Sequence, residues 1–596
     1  MSFLRSRRMR GAAVALAAGS LILTGCSGGG GQDKSPGKDT DFGDIEAQSQ
    51  PVTYADAAAS QGPADEVEGS SKGGTVRVYQ QTDFTHLDPG QIYVSDAGNL
   101  AVLIHRGLTA TKENDDGSKT IVGDLATSAG EVSDGGKTWT YTLKDGVKDQ
   151  DGDTITSADV RHTFERLYAE VIFDGPTFIQ KWLSGDDYRK ALPDGPYKGD
   201  HLPDSVIETP DDKTIVFKFD APQNDLPQAL AMAGYAIVPE DDDTQKKYDQ
   251  NPKALGPYKI GDYKPGKSMT LVRNEHWDAE TDPIRRAYPD KWKFTFNHDD
   301  ADQTRRILAD KGEAQRALQF SGAVSAAQLR DVVTNAKDRS VAGYQPYVWQ
   351  LNMNMKRIED KKVRDAITYA LPGPAIFAPE GGEYAGATAG NLFAPTLPGH
   401  EPEYDPYGRL DNPKGQPEKA RKLLKEAGKE NMELVYAFAN TDIRQKQSVV
   451  IAKALEEAGF NVQKKAVNSQ TWYEQMGKVD NPFHVYMTGW GQDWSSPSTV
   501  IPPVYDGDVI ADGASNYSHI DDPKTNKEID RILKIKDPEK ANEEWVKLHH
   551  HIVENVNPAV PLYYTKTIQI HGSKIGGAKF STVRSYINVN QVYVKQ

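Results

Sequence analysis

The sequence predicts an α/β protein with more than one domain, and three observations lead to this fold class. The 596 residues exceed what one hydrophobic core usually serves. Residues 432–487 alternate strand and helix patterns, whereas the stretch from about 112 to 255 shows mostly strand patterns. Strand–helix–strand order favours right-handed crossovers, so we expect a largely parallel sheet in the C-terminal part and a mostly β domain before it.

The first 26 residues have the parts of a bacterial export signal. Four arginines precede an apolar run, "GAAVALAAGSLIL", that is too short to span a membrane comfortably. "LTGC" follows at Leu23 to Cys26 and resembles the lipobox of lipoproteins, which implies cleavage before Cys26 and lipidation of its sulfur. Cys26 is the single cysteine, so it has no intramolecular disulfide partner. An ordinary signal peptide over 1–25 and a twin-arginine export route both remain open.

Residues 26–72 are predicted to be a disordered tether. Gly, Ser, Asp, Gln and Pro dominate this stretch, and large apolar residues are scarce. No later apolar run is long enough to span a bilayer, so we expect the folded body to lie wholly outside the membrane.

The folded body starts with alternating patterns typical of strands and with amphipathic helical patterns. "GGTVRVYQQ" predicts a strand and "NLAVLIHRGL" a helix. "GEVSDGGKTWTYTLK" and "PDDKTIVFKFD" predict hairpin strands, and "TSADVRHTFERLYAEV" predicts a helix capped by Thr156 or Ser157. "PEKARKLLKEAG" predicts a helix that begins near Pro417 and ends before Gly428.

Composition and motifs argue against several functional classes. The net charge of −15 and the lack of a basic stripe exclude nucleic acid as an expected partner. No zinc-protease or P-loop motif occurs, so we expect no enzyme activity, no metal and no cofactor. His549 to His551 are adjacent on a predicted helix and point 100° apart, which indicates one buried imidazole and not a metal site. Asp149 to Thr154 reads as a surface turn.

The loop predicted after the strand "FHVYM" carries one carboxylate, Asp493, among large aromatic residues, Trp490 and Trp494. In open α/β sheets, ligands bind beyond the carboxyl ends of strands, and Gly491 permits close backbone approach there. A carboxylate flanked by indoles needs a cationic or hydrogen-bonding partner. That partner is either an Arg or Lys of the protein or the ammonium group of a ligand, and the residues alone leave both open.

The order of motifs resembles extracellular solute-binding protein family 5, which serves ABC importers of oligopeptides and dipeptides. The likeness runs from about Gly73 to the C-terminus and rests on ordered stretches: "LDPGQIYVSDAGNLAVLIHRGL", "DGGKTWTYTLKDGV", "ITSADVRHTFERL", "GPYKI", "LVRNEHW", "LNMNMKRIEDKKVRDAITYAL", "DPKTNKEIDRIL" and "PAVPLYY". It implies a periplasmic-binding-protein-like (type II) fold, two-lobed with a closing cleft and an extra inserted mostly-β domain. Lobe I would comprise 73–111, 256–345 and 566–596, domain II 112–255, and lobe III 346–565.

The resemblance also implies roles for single residues. Asp493 matches the aspartate that holds a peptide's α-ammonium group, with Trp490, Gly491 and Trp494 around it. Further residues match positions beside the peptide: Tyr93, Val94 and Ser95 along its main chain, and Tyr563 or Tyr564 as a cleft wall. Where many members continue a helix, this chain has Pro372 and Pro374, which should break it.

These observations predict a monomeric receptor, lipid-anchored at Cys26 on the outer face of a bacterial cell membrane. It would capture oligopeptides and deliver them to the permease subunits of an ABC importer. A receptor for another solute, such as an oligosaccharide, metal chelate or haem, is the first alternative, because family membership does not fix the ligand. A secreted hydrolase is a remote one.

Overall fold

The structure is a computed structural model that describes Phe42, Ile45, Ser49 and residues 51–596. The predicted signal peptide, Cys26 and the first part of the predicted tether therefore lie outside the described residues. Across the part of the chain that is described, none of the helices combines the length and the apolar character needed to cross a bilayer.

The described chain is built of β-strands and α-helices. The strands are β1 (Val52–Tyr54), β2 (Thr75–Tyr79), β3 (Thr109–Glu113), β4 (Lys119–Gly123), β5 (Glu131–Ser133), β6 (Thr138–Thr142), β7 (Ile207–Asp211), β8 (Thr214–Lys218), β9 (Tyr258–Lys264), β10 (Ser268–Arg273), β11 (Lys291–Thr295), β12 (Ala317–Leu318), β13 (Ser340–Met353), β14 (Gly386–Thr388), β15 (Glu433–Ala439), β16 (Asn461–Val467), β17 (Val485–Gly491), β18 (Ala559–Ile570), β19 (Ile575–Gly576) and β20 (Tyr593–Val594). The α-helices are α1 (Ser95–Ile104), α2 (Ser157–Arg166), α3 (Phe178–Ser184), α4 (Leu226–Ala229), α5 (Asp300–Ala309), α6 (Leu329–Asn335), α7 (Lys361–Ala370), α8 (Pro374–Phe377), α9 (Pro417–Glu426), α10 (Asp442–Glu457), α11 (Trp472–Met476), α12 (Ile501–Tyr505), α13 (Pro523–Ile532) and α14 (Pro538–His551).

Lobe I is built on a five-stranded sheet in the order β12-β2-β11-β10-β9. The alternation predicted for β2 is observed, because Val76 and Val78 are buried while their neighbours are partly exposed. Helix α1 packs against this sheet through Leu100 and Ile104. β19 and β20, from the C-terminal end of the chain, contribute Ile575 and neighbouring residues to the same core.

Domain II is built on a four-stranded antiparallel sheet in the order β5-β6-β8-β7. Trp139 and Tyr141 on β6 face the core, opposite Phe217 and Ile215 of β8. Helix α2 covers this core and begins with the predicted cap, in which Thr156 and Asp159 form a capping box.

Residues 51–72 are ordered, which corrects the tether prediction for this stretch. β1 pairs in parallel with β4 and so adds an edge to the small sheet β1-β4-β3. Ser60 is buried, and its hydroxyl accepts a hydrogen bond from the Gly123 backbone N–H at 2.9 Å, while Lys144 Nζ donates to the Ser60 carbonyl at 2.6 Å. The strand forms because the β4 edge offers unpaired backbone groups, which a composition-based prediction of disorder does not take into account.

Lobe III is built on a six-stranded sheet in the order β14-β18-β13-β17-β15-β16. β15 pairs in parallel with β16 and β17, as the strand–helix–strand pattern predicts. The prediction of a largely parallel sheet is wrong for the other half, because β13, β14, β17 and β18 pair antiparallel. Helix α7 ends at Ala370, and α8 starts anew at Pro374, so the two prolines interrupt the helix as expected.

β13 and β18 are long neighbouring strands that run through both lobes. Ser340–Tyr344 pairs with Lys566–Ile570 on the lobe I side, and Val348–Asn352 pairs with Ala559–Tyr564 on the lobe III side. The register shifts between Tyr344 and Val348, so a bulge lies where the two lobes meet. The predicted boundaries at 345/346 and 565/566 fall at this bulge, and they stay predictions.

A buried network of charges joins lobe I to domain II. Arg106 Nε donates to Asp124 Oδ1 at 2.7 Å, and Arg285 Nη2 donates to Asp124 Oδ2 at 3.0 Å. Arg285 Nη1 also reaches Asp282 Oδ2 at 3.1 Å. Each of these four side chains is at most 5% exposed, so their charges compensate one another within the protein.

Candidate functional site

A cavity of about 200 Å³ lies where lobe I, domain II and lobe III meet. Tyr93, Val94 and Ser95 line it from lobe I, and Asp493 and Trp494 line it from lobe III. Domain II contributes the stretch from Leu230 to Ala233. The cavity is large compared with the roughly 10–15 Å³ that one water molecule needs, so it has room for a small ligand.

Asp493 and Tyr93 bridge the two lobes across this cavity. The Tyr93 hydroxyl donates to Asp493 Oδ1 at 2.5 Å. Desolvation in the closed cleft raises the pKa of Asp493 to about 6, and the Tyr93 hydrogen bond opposes this rise. Among the described residues, no group hydrogen-bonds to the second carboxylate oxygen, Oδ2, and no cationic side chain forms an ion pair with Asp493. The described part of the chain therefore provides no Arg or Lys partner for this acid.

Local geometry places Tyr93 to Ser95 at the cavity. Helix α1 begins at Ser95, and Val94 before it has extended backbone angles (φ −89°, ψ 144°). The Tyr93 and Val94 side chains are about half exposed, at 52% and 50%. Extended, accessible backbone at a helix start is compatible with the predicted main-chain contact to a ligand.

Trp494 lies between two cavities and contacts domain II. Its ring packs edge-on against Phe178, with centroids 5.0 Å apart, and against Trp182, with centroids 5.9 Å apart. Its indole N–H donates to Asp225 Oδ2 at 3.2 Å, and the Ser498 hydroxyl donates to the same oxygen. Burial raises the pKa of Asp225, and these hydrogen bonds oppose the rise. A second, more apolar cavity of about 510 Å³ lies on the far side of this contact.

Trp490 and Gly491 belong to a strand and not to the predicted loop. β17 continues through Gly491 because its backbone pairs with β13, with Trp490 opposite Val348 and Gly491 opposite Tyr347. The Trp490 indole N–H donates to the Thr499 carbonyl at 3.0 Å, and its ring packs against the helical core of lobe III. Neither residue lines the 200 Å³ cavity. Gly491 allows the close strand approach, because a Cβ there would lie 3.0 Å from the Pro346 carbonyl oxygen.

Tyr563 and Tyr564 are core residues of lobe III, which corrects their prediction as a cleft wall. Their exposures are 0% and 6%. The Tyr563 hydroxyl donates to Glu380 Oε1 at 2.7 Å, and the Tyr564 hydroxyl donates to the Asn391 carbonyl at 3.1 Å. Both side chains are therefore held by partners within lobe III, on strand β18, and neither lines the cavity.

Two further polar contacts across the cleft involve residues that the sequence did not single out. Asn224 Nδ2 donates to the Ile535 carbonyl at 3.0 Å, and Lys119 Nζ donates to the Thr396 carbonyl at 3.3 Å. Lys119 is 1% exposed, and burial lowers its pKa to about 8. With the Asp225 and Asp493 contacts, these bonds show that the cleft is closed. No local pattern marks such residues, because their partners are distant in sequence.

Two motifs considered in the sequence have local structural roles. His549 is buried on α14, accepts a hydrogen bond from the Leu392 backbone N–H at 3.2 Å, and stacks on Phe393 with centroids 4.0 Å apart. Asp149, Asp151 and Asp242 have oxygens within 4.8 Å of one another, as a cation site would. The Lys253 ammonium forms ion pairs with Asp151 and Asp242, so part of this charge is compensated internally.

The fold and the cavity together define a two-lobed solute-binding protein with a closing cleft. The chain belongs to the bacterial extracellular solute-binding proteins of family 5, the binding components of ABC importers, because the model of that family's middle region matches residues 120–512. The predicted fold class is thereby confirmed.

Individual relatives resemble the chain over most of its length. It is 27% identical over 411 residues to the dipeptide-binding protein of Escherichia coli (strain K12), covering 65% of this chain and 71% of the relative. It is 23% identical over 510 residues to the oligopeptide-binding protein of Bacillus subtilis (strain 168), covering 83% and 88%. Among solved structures, the clavulanic acid biosynthesis oligopeptide binding protein 2 superposes with a TM-score of 0.81 at 27% identity, covering 92% and 100%.

Proposed function

We propose that this protein is an extracellular receptor that captures oligopeptides in its cleft and delivers them to the permease of an ABC importer. The peptide ligand is inferred from one observation. Asp493 lines the cavity, and one of its carboxylate oxygens has no hydrogen-bond partner among the described residues. The names of the dipeptide-binding and oligopeptide-binding relatives support the same ligand class.

In this proposal the ligand's α-ammonium group donates to Asp493. A partly desolvated carboxylate gains from a cationic partner, and the ammonium would reverse the rise of its pKa. The peptide would lie extended and pair with the backbone of Tyr93 to Ser95, as an added strand does. Main-chain pairing gives affinity without selecting side chains. Trp494 would pack against the part of the ligand nearest its amino end.

Ligand binding would stabilise the closed state through contacts made to both lobes at once. Tyr93 and Asp493 already meet across the cleft, and a peptide bound between them would add to this bridge. The permease would recognise the closed form. The protein itself would act as a monomer, need no cofactor and catalyse no reaction.

We further propose that a lipid on Cys26 anchors the protein to the outer face of the cell membrane. The lipobox at Leu23 to Cys26 supports this anchor, and two or three acyl chains give stable attachment. Cys26→Ser should release the protein into the medium, and mass spectrometry of the purified wild-type chain should show the added acyl mass. Equal membrane retention of both proteins would refute the anchor.

Isothermal titration calorimetry tests the ligand class. A tripeptide with a free amino terminus should bind, whereas its N-acetylated form should bind at least about 30-fold more weakly, because the ammonium is lost. Equal affinity for both forms would refute the role of Asp493. Mass spectrometry of ligands released from protein purified without added peptide tests the wider class. A sugar or metal chelate as the released ligand would overturn the peptide proposal.

A further inference from the structure

The cavity that Asp493 lines is also lined by cationic side chains. Arg285 and Arg584 both line the 200 Å³ cavity, Arg584 from the loop that connects β19 to β20. Ion pairs in which both charges have protein partners have little to offer a ligand. Arg285 and Arg584 differ in how many of their guanidinium N–H groups donate to protein atoms. The N–H groups without a protein acceptor are those that a ligand can use.

Arg285 is fully engaged within the protein. Its guanidinium donates to both oxygens of Asp124 at 3.0 Å and to Asp282 Oδ2 at 3.1 Å. It also donates to the backbone carbonyls of Val102 at 2.7 Å and His105 at 3.2 Å. This arginine belongs to the buried network between lobe I and domain II.

Arg584 has no such hydrogen-bonded partners in the part of the chain that is described. Its nearest carboxylate oxygen is Glu113 Oε2, at 3.8 Å from Nη1, which is too long for a hydrogen bond. Within the described ranges, its guanidinium makes no hydrogen bond to protein. The side chain is 14% exposed, so most of it is out of solvent, and burial lowers its pKa. Five N–H donors in a largely buried site favour an anionic partner.

Glu113 is occupied with the loop that carries Arg584. Its Oε1 accepts hydrogen bonds from the backbone N–H groups of Thr582 at 2.8 Å and Val583 at 3.3 Å, and its Oε2 accepts from Asn588 Nδ2 at 3.3 Å. The Arg584 backbone N–H donates to Ser581 Oγ at 3.1 Å. The loop is thus fixed on both sides of Arg584, and its side chain is held at the cavity without being neutralised by a hydrogen-bonded acid.

We propose that Arg584 binds a carboxylate of the ligand, so that the cavity selects peptides that carry both a free amino terminus and a carboxylate. This inference rests on the proposed peptide-binding function and specifies the ligand further. The planar guanidinium matches a carboxylate with two parallel N–H···O bonds. The carboxylate is either the peptide's C-terminus or an acidic side chain, and both offer the same pair of oxygens.

Calorimetry with three peptides that share a free amino terminus tests the proposal on the wild-type protein. These are a tripeptide with a free C-terminal carboxylate, the same tripeptide amide, and an amide whose last residue is glutamate. The free acid should bind about 10- to 100-fold more tightly than the plain amide, as expected for a charged hydrogen-bonded pair. Recovery of tight binding by the glutamate amide would identify side-chain recognition, and no recovery would identify the C-terminus.

Variants then assign the preference to Arg584. Arg584→Gln should abolish the difference between acid and amide, while Arg584→Lys should retain part of it. Arg330→Gln, at an exposed arginine outside the cavity, is the matched control and should keep the wild-type preference. Equal wild-type affinity for acid and amide, or an unchanged preference in Arg584→Gln, would overturn the proposal. Failure of the peptide-binding function itself would appear differently, as no binding of any of the three peptides and a sugar or metal chelate as the ligand released from the purified protein.

Discussion

Replacing Asp493 by asparagine should weaken peptide binding strongly and leave the empty protein stable. Asparagine keeps the size of the side chain and an oxygen that can accept the Tyr93 hydrogen bond. The substitution removes only the negative charge that faces the cavity. It therefore separates the electrostatic role of the residue from its packing role.

The expected loss of peptide affinity follows from the environment of the Asp493 carboxylate. A pKa raised from 3.8 to about 6 corresponds to about 3 kcal/mol, at roughly 1.4 kcal/mol for each tenfold change. The closed empty cleft disfavours the ionised form by this order of magnitude, and a ligand ammonium would offset it. Loss of one partner of a buried charge pair costs about 2–4 kcal/mol, so the affinity should fall about 30- to 1,000-fold.

Calorimetry at pH 7 with a free tripeptide measures the loss of affinity, and thermal unfolding of the empty proteins measures stability. Because the charge is desolvated without a cationic partner, its removal should leave the melting temperature equal or slightly higher. Asp480→Asn is the matched control, since Asp480 is exposed in the same lobe. Unchanged peptide affinity of Asp493→Asn would refute the ammonium site. A melting temperature several degrees lower would show instead that Asp493 stabilises the fold.

Four further outcomes follow from the same structure. Burial raises the pKa of the Asp493 carboxyl to about 6, and the ligand needs its ionised form. Peptide affinity should therefore fall about tenfold for each pH unit below 6. An affinity that stays constant from pH 5 to 7 would contradict this. Tyr93→Phe removes a donor to that carboxylate, so calorimetry should show about 3- to 10-fold weaker binding and a higher pH midpoint. Trp494→Ala removes two ring contacts and the hydrogen bond to Asp225, which together stabilise the closed cleft by about 2–3 kcal/mol. Small-angle scattering should therefore detect a larger fraction of open molecules. An unchanged scattering profile would disprove this role of Trp494. Asp124→Ala leaves the buried Arg106 and Arg285 with one shared carboxylate, Asp282, so denaturant unfolding should show a loss of about 3–5 kcal/mol.

The elements with strong periodicity were predictable from the sequence, because their pattern depends on neighbours in the chain. Helix α2 with its capping box, and the β15–α10–β16 unit, lie close to their predicted positions. The extents of strands were less predictable, since they depend on partners far away. β17 continues through Gly491 because β13 lies beside it, and β1 exists because β4 offers an open edge.

The candidate site was predictable only in part, for the same reason. Asp493 could be found because a lone acid follows a strand pattern and matches a family motif, and the structure places it beside Tyr93. Asp225 and Arg584 carry no local signal, since their significance comes from contacts across the cleft and from the partners they lack. Tyr563 and Tyr564 show the reverse error: the family resemblance implied a cleft wall, but both side chains are buried, on opposite faces of β18.

The ladder between β13 and β17 connects the strand that leads to Asp493 to the bulge in β13. Tyr347 lies at the end of the β13 bulge and directly opposite Gly491, two residues before Asp493. The backbone that leads to Asp493 is thus paired directly with a residue of the bulge. In the proposed mechanism, a ligand that binds Asp493 would therefore act on this bulge through the backbone, without side chains in between.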